Sequence, residues 1–167
     1  MKIYNGRKFS LEVEKVTLPN GFERELEIIK HRGSAAILPL IGEDEIILIK
    51  QYRPVIGKYI FEIPAGSVED GEDVFTTARR ELEEEIGYQA EELDEVLSFY
   101  PSPGITNEEM HLFLAKGLRY VGAKPEPYEI IEPVKVKIQD ALAMVERRDI
   151  VDAKTIIAIY FIARKQT

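Results

Sequence analysis

Apolar residues along this chain switch between two spacings, and the switches mark its elements. Apolar and polar positions alternate at Phe9-Ser-Leu11-Glu-Val13-Glu and again at Arg24-Glu-Leu26-Glu-Ile28, the period of two of a half-buried strand. The Asn20-Gly21 pair between them suits a hairpin turn, because both residues tolerate positive φ. An N-terminal antiparallel unit of about three strands is predicted. Residues 35–41 and 45–52 are near-continuous apolar runs joined by Gly42-Glu-Asp-Glu, the pattern of strands covered on both faces. Tyr59 to Ile63 reads as a short strand entering a glycine loop, and further strands are predicted near 94–100, 110–116 and 133–137.

Helical spacing appears at Phe75, Ala78, Leu82 and Ile86, and at Ile138, Ala141, Leu142 and Val145. It predicts helices from about Glu72 to Gly87 and from 138 to 148. Residues 153–162 are apolar almost all round, which predicts a buried helix running to 165 with Asp152 as its cap. Gly87 suits a left-handed C-terminal cap, and acids in the first turn suit the positive end of the dipole. The order of elements predicts an α/β fold with a mixed sheet between helices. Residues 1–33 are expected to form the antiparallel element and residues 34–167 the principal domain. Two or three strands cannot cover their own apolar face. They must pack either on the rest of the chain or on a second copy.

A chain of 167 residues with 45% apolar content can bury one good core. The net charge is −8, and within residues 66–88 eight acids against two bases already give −6. The acidity is therefore local. No segment offers the basic stripe that a nucleic-acid or membrane-surface binder needs. Without Cys there is no disulfide framework. The start lacks the apolar core of a signal peptide, and no apolar run reaches the ~18 residues of a spanning helix, so a soluble cytoplasmic protein is expected.

Glu81, Glu84 and Glu85 stand at i, i+3 and i+4, on one helix face beside the apolar stripe. Like charges at that spacing cost a helix about 0.2–0.5 kcal/mol per pair, so the cluster calls for a compensating cation. Oxygen-only ligands without Cys or a nearby His point to Mg²⁺ or Mn²⁺. Glu83 points away from the three and reads as solvated. The spacing Gly66, five residues, Glu72, seven residues, Arg80-Glu81-Leu82-x-Glu84-Glu85-x-Gly87 resembles the signature of the Nudix hydrolases. Tyr88 is the one departure, standing where the pattern prefers an aliphatic residue. Gln51-Tyr52-Arg53-Pro54, Glu62-Ile63-Pro64-Ala65-Gly66 and Ser102-Pro103-Gly104, with Pro103 sixteen residues past Gly87, resemble the ADP-ribose pyrophosphatase branch.

That resemblance implies a Nudix-type α/β/α sandwich and Mg²⁺-dependent hydrolysis of ADP-ribose to AMP and ribose 5-phosphate. The alternatives are another nucleoside diphosphate sugar or a non-catalytic ADP-ribose sensor, and the intact Glu81, Glu84 and Glu85 speak against the sensor. It further implies metal ligation by the Ala65 carbonyl, Glu81 and Glu85 with help from Glu84, and substrate contacts from Arg53, Gly104 and Glu108. By the same resemblance Arg80 is expected to brace the glutamates and not to touch substrate. The catalytic base is placed at Glu129, with Glu126 and Glu132 as rivals, and a homodimer with exchanged N-terminal strands is expected. Tyr4 is one candidate for stacking on adenine. Lys50 and Arg32 could neutralise phosphate but read as solvated. His31 and His111 have no partner at a metal or triad spacing and the chain has no Cys, so neither is assigned chemistry.

Overall fold

The chain opens with β1 (Lys2–Asn5), β2 (Phe9–Thr17) and β3 (Glu23–His31), which form an antiparallel sheet in that order in the computed structural model, whose described residues are 1–165. The β2–β3 ladder runs from Phe9 opposite His31 to Thr17 opposite Glu23. Its turn uses the Asn-Gly pair as the sequence predicts, with Gly21 at φ 84° and the Phe22 N–H donating to Asn20 Oδ1 at 3.2 Å. This sheet docks on the same chain through β3, where the Ile29 N–H donates to the Ile105 carbonyl at 2.9 Å and the His31 N–H to Asn107 Oδ1 at 2.7 Å. Met1, Ile3, Tyr4 and Phe22 are all more than half exposed, so part of its apolar surface stays open.

The main sheet comprises β4 (Ser34–Ile41), β5 (Glu45–Arg53), β6 (Lys58–Glu62), β7 (Ala65–Ser67), β8 (Tyr88–Phe99), β9 (Met110–Tyr120) and β10 (Ile131–Lys137). Its order is β10-β5-β4-β9-β8, with β6 on β5 and β7 on β4. β4 and β9 run parallel and the other pairs antiparallel, giving the expected mixed sheet. Side chains alternate across a strand, so the continuous apolar runs divide between two cores. Ala36, Leu38, Ile46, Leu48, Leu112 and Leu114 pack with α2 (Ile138–Glu146) and α3 (Ala153–Lys165). Ala35, Ile37, Ile47, Ile49, Phe113 and Ala115 pack with α1 (Val74–Ile86) through Ala78, Leu82 and Ile86. The result is an α/β/α sandwich.

One irregularity in the sheet makes room for a site. β4 and β5 pair only at Leu40–Ile46 and Ile41–Glu45, then part. β6 and β7 enter the gap, and the Ile37 N–H donates to the Pro64 carbonyl at 2.8 Å across it. The glycine loop thus begins inside a split in the sheet and passes over α1.

Several boundaries differ from expectation for local reasons. The helix starts at Val74 and not Glu72, because Asp73 is its cap and accepts the Thr76 N–H at 2.7 Å; Glu72 and Asp73 precede the helix, whose first turn holds no acid. Gly87 does take the left-handed cap, at φ 76°, and turns the chain at once into β8, six residues earlier than the apolar pattern suggests. The polar start of β8 concealed it, since this strand lies at the sheet edge. β9 runs on to Tyr120 by pairing with it, and α2 stops at Glu146. Phe75 of the expected stripe is 41% exposed, although its ring meets Phe113 edge-on at 4.9 Å. Within α3 the buried set includes Lys154 and Thr155, while Tyr160 is exposed. Among the described residues no helix is long and apolar enough to cross a membrane.

Candidate active site

A cavity of about 520 Å³ lies where the split in the sheet faces α1. Arg53 from the end of β5, Ala65 and Gly66 from β7, Glu81, Glu84 and Glu85 from α1, and Glu129 from the loop before β10 all line it. Seven positions singled out from sequence therefore converge. Gly104 and Glu108 do not line this cavity. Gly104 is exposed in the loop that docks on β3, and the Glu108 carboxylate accepts the Ser34 hydroxyl at 2.7 Å. Of the rival bases, Glu126 lines the cavity and Glu132 sits on β10 opposite Lys50.

Close packing between loop and helix explains the glycine at 66. A Cβ built there would overlap the Glu81 carboxylate. Beside it the Ala65 N–H donates to Glu85 Oε2 at 3.0 Å, tying the loop to the helix a second time. Arg80 organises the remaining acids, as expected of a brace. Its Nε and Nη2 reach Glu72 at 2.9 and 3.1 Å, and its Nη1 reaches Glu81 at 2.6 Å and Glu84 at 3.1 Å. Nη2 also approaches the Ser67 carbonyl at 3.4 Å. The box spacing is thus a contact map: Glu72 anchors Arg80, and Arg80 holds two of the three glutamates.

Electrostatics grade the acids. The hydrogen bond from Arg80 holds the Glu72 carboxyl down at about 2, with the Thr77 hydroxyl and the Glu69 N–H adding to it. Burial pushes Glu81 up, and Arg80 offsets part of that while Glu84 and Glu129 add to it. Glu85 is raised well above the ordinary carboxylate value, first by burial and then by the Glu81 charge, against the pull of the Ala65 N–H. A buried acid surrounded by acids is an electrostatic debt that a cation can relieve.

The donor set fits a hard divalent ion. Glu81, Glu84 and Glu85 each use one carboxylate oxygen on Arg80 or Ala65, and the other has no hydrogen-bond partner among the described residues and is not sealed from solvent. With oxygen donors only, the chemistry is that of a hard divalent cation. In the rotamers adopted here, with Arg80 drawing on two of the acids, no three such side chains among the described residues meet at one ion. Ion binding would therefore draw Glu81 and Glu84 partly off Arg80.

Some of the surroundings had no sequence signal. Arg7 and Lys8, in the β1–β2 turn, reach the cavity across the two sheets, and Arg7 pairs with Glu69 at 3.3 Å. Arg32 also lines it and pairs with Asp70 at 2.9 Å, whereas Lys50 lies over the Tyr59 ring at 5.5 Å. Tyr128 lines the cavity, while Tyr4 stands against Phe9 at 5.8 Å. His31 does have a serine neighbour, brought from 36 residues away: its Nε2 is 3.2 Å from Ser67 Oγ. The Gly33 N–H donates to Nδ1 at 3.0 Å, so neutral His31 carries its proton on Nε2 and cannot take one from Ser67. Tyr88 packs against the α1 core cluster and meets Tyr120 edge-on at 5.2 Å, so the departure from an aliphatic residue is absorbed by packing.

A NUDIX domain matches residues 30–157. The chain is 44% identical over 167 residues to an ADP-ribose pyrophosphatase of Bacillus subtilis (strain 168), covering 99% of this chain and 90% of the relative. It is 39% identical over 163 residues to a methanol dehydrogenase activator of Bacillus methanolicus, covering 96% and 88%. A crystal structure of an ADP compounds hydrolase shares the fold with a TM-score of 0.82 at 23% identity, over 99% of this chain and 90% of that one.

Proposed function

The chain belongs to the NUDIX family of pyrophosphohydrolases, and on that premise we propose that it is a Mg²⁺-dependent ADP-ribose pyrophosphatase, releasing AMP and ribose 5-phosphate. The convergence of three α1 glutamates and the Arg53 guanidinium on one cavity is the observation behind this reading. The near-full-length similarity to an ADP-ribose pyrophosphatase supports the choice of substrate. Glu81, Glu85 and the Ala65 carbonyl would hold the ion with Glu84 assisting, and Mn²⁺ would suit the same oxygens. When bound, the ion supplies neutralisation of phosphoryl charge and a more acidic water.

The chain's own groups supply the rest. Arg53 lines the cavity, and the N–H donors that Glu62 does not use could fork onto phosphate oxygens there. Glu129, on the cavity wall, takes the proton that water loses as its oxygen joins phosphorus and the bridging P–O bond breaks. The same reading makes the protein a homodimer paired through residues 1–33, supported by the open apolar surface of Ile3, Tyr4 and Phe22. Gly104 and Glu108 would then meet substrate from across the interface. The test is release of AMP and ribose 5-phosphate from ADP-ribose with Mg²⁺, Mn²⁺ or EDTA present. Faster turnover of another nucleoside diphosphate sugar would change the substrate and keep the reaction. Absence of AMP with either metal would overturn the assignment.

A further inference from the structure

Lys154 is a charged residue in a helix that the sequence reads as apolar, and the structure buries it to 8% exposure. Its Nζ donates to Glu62 Oε1 at 2.6 Å and to Asp152 Oδ1 at 3.0 Å. Glu62, at the end of β6, is 2% exposed and also receives Arg53: Nε to Oε2 at 2.7 Å and Nη2 to Oε1 at 3.0 Å. Asp152 is fixed in turn at the head of α3, accepting the Thr155 N–H at 3.0 Å and the Thr155 hydroxyl at 2.6 Å. That hydroxyl accepts the Ile63 N–H at 2.9 Å, so α3 is clamped to the backbone right after Glu62. The chain of contacts runs from α3 on one face of the sheet, through the split, to a guanidinium on the cavity wall.

We propose that Lys154 is a positioning residue which fixes the Glu62 carboxylate and thereby aims Arg53 at the anionic part of the substrate. The proposal rests on the functional reading above only for the identity of that substrate. A carboxylate gripped by Arg53 alone could rotate about its own bond and carry the guanidinium with it. Lys154 removes that freedom by holding Oε1 with a second donor anchored on α3. Glu62 and Asp152 against Arg53 and Lys154 sum to zero charge, so the group is self-contained, and the Arg53 donors not used by Glu62 are left for the cavity. A fixed guanidinium binds a planar pair of oxygens with less loss of rotamer freedom than a mobile one.

The test uses inorganic pyrophosphate as a probe, its affinity measured by calorimetry with Mg²⁺, beside the KM and kcat for ADP-ribose. Lys154→Met should weaken pyrophosphate and raise KM by about tenfold, with kcat within about threefold, the pattern of lost uniform binding. Arg53→Met should cost a similar factor, and adding Lys154→Met to it should cost nothing more, because the one acts through the other. Lys154→Arg, which keeps a cation on Glu62, should restore affinity to within about threefold. If the methionine variant is too unstable to assay, Lys154→Gln must show the same dependence on Arg53. A lowered melting temperature with native affinity and KM would overturn the proposal, as would losses that add in the double variant. Native protein that binds no pyrophosphate would overturn it too, whereas pyrophosphate binding without ADP-ribose turnover would overturn only the functional reading.

Discussion

Replacing Glu85 with Gln removes a charge and leaves the shape, and the structure gives opposite signs for its effects on stability and on turnover. Burial, and after it the Glu81 charge, raises the Glu85 carboxyl well above its ordinary 4.5. A group whose pKa is raised on folding contributes fully to stability only below its unfolded value, and that contribution is lost as pH rises through the folded one. As pH rises through the folded value, the charge that burial disfavours therefore weighs against the metal-free fold. Gln fills the same volume and keeps a carbonyl oxygen for the Ala65 N–H, now at 3.0 Å from Oε2. Relief of repulsion from Glu81 at i−4 is worth about 0.2–0.5 kcal/mol, and the lifted desolvation of a buried charge adds to it. A total of about 1 kcal/mol raises Tm by about 2–4 °C for a chain of this size. Turnover moves the other way. Groups that only support a metal ligand cost about 10–100-fold when removed, so loss of the ligand itself should cost at least about 100-fold, or ~2.7 kcal/mol at the transition state. Thermal scans in EDTA and in Mg²⁺ read the first effect, and AMP release reads the second. Native protein should gain stability from Mg²⁺, about 2.7 kcal/mol at 100 times Kd, and the variant should gain little. A variant that melts below native in EDTA, or that keeps the Mg²⁺-induced rise, would refute this account of Glu85.

Three further outcomes follow from the same contacts. Gly66→Ala should lower turnover by about 100-fold or more, with Tm close to native, because the added Cβ displaces only the flexible end of Glu81; equal activity would mean the Glu81 carboxylate does not need its present place. Glu129→Gln should lower kcat by about 10²–10⁴ while Mg²⁺ affinity by calorimetry stays native, as for loss of a general base, and an unchanged rate would transfer that role to Glu126. Because Arg80 holds Glu72 down at about 2 from a starting value of 4.5, the stability it contributes is present above pH 4.5 and lost as pH falls toward 2. Glu72→Gln should accordingly flatten the acid limb of stability against pH over that window, measured by urea unfolding, and a limb as steep as native would show that the pair does not couple to folding.

What could be read from sequence was whatever short-range spacing encodes. The apolar runs of β4 and β5, the Asn20-Gly21 hairpin and the Gly87 cap are local signals, and each lies where it was expected. The site's inner acids were legible for the same reason, since Glu72, Arg80, Glu81 and Glu84 touch within three turns of one helix and its entry loop. Illegible residues are those whose partners are distant in the chain. Lys154 lies 92 residues from Glu62, so in sequence it is only a lysine interrupting an apolar helix. Ser67 reaches His31 across 36 residues, and Arg7 reaches Glu69 across 62. The early start of β8 was missed for another reason: an edge strand needs few apolar residues, so its period is faint.

Two of the arginines at the cavity, Arg80 and Arg53, show how so acidic a site can face so acidic a substrate. Arg80 lies behind the glutamates and is consumed by them, which keeps Glu72, Glu81 and Glu84 together without offering much charge outward. Arg53 lines the same cavity from the end of β5, and its internal partner Glu62 is itself shared with Lys154 from the far side of the sheet. The α1 acids thus form a set of oxygens that needs a cation, and Arg53 is a cation that can meet an anion. A metal–pyrophosphate complex satisfies both at once, whereas free pyrophosphate would meet repulsion from the α1 wall. Binding of the diphosphate and of the metal should therefore be mutually dependent, and by linkage each should tighten the other by the same factor.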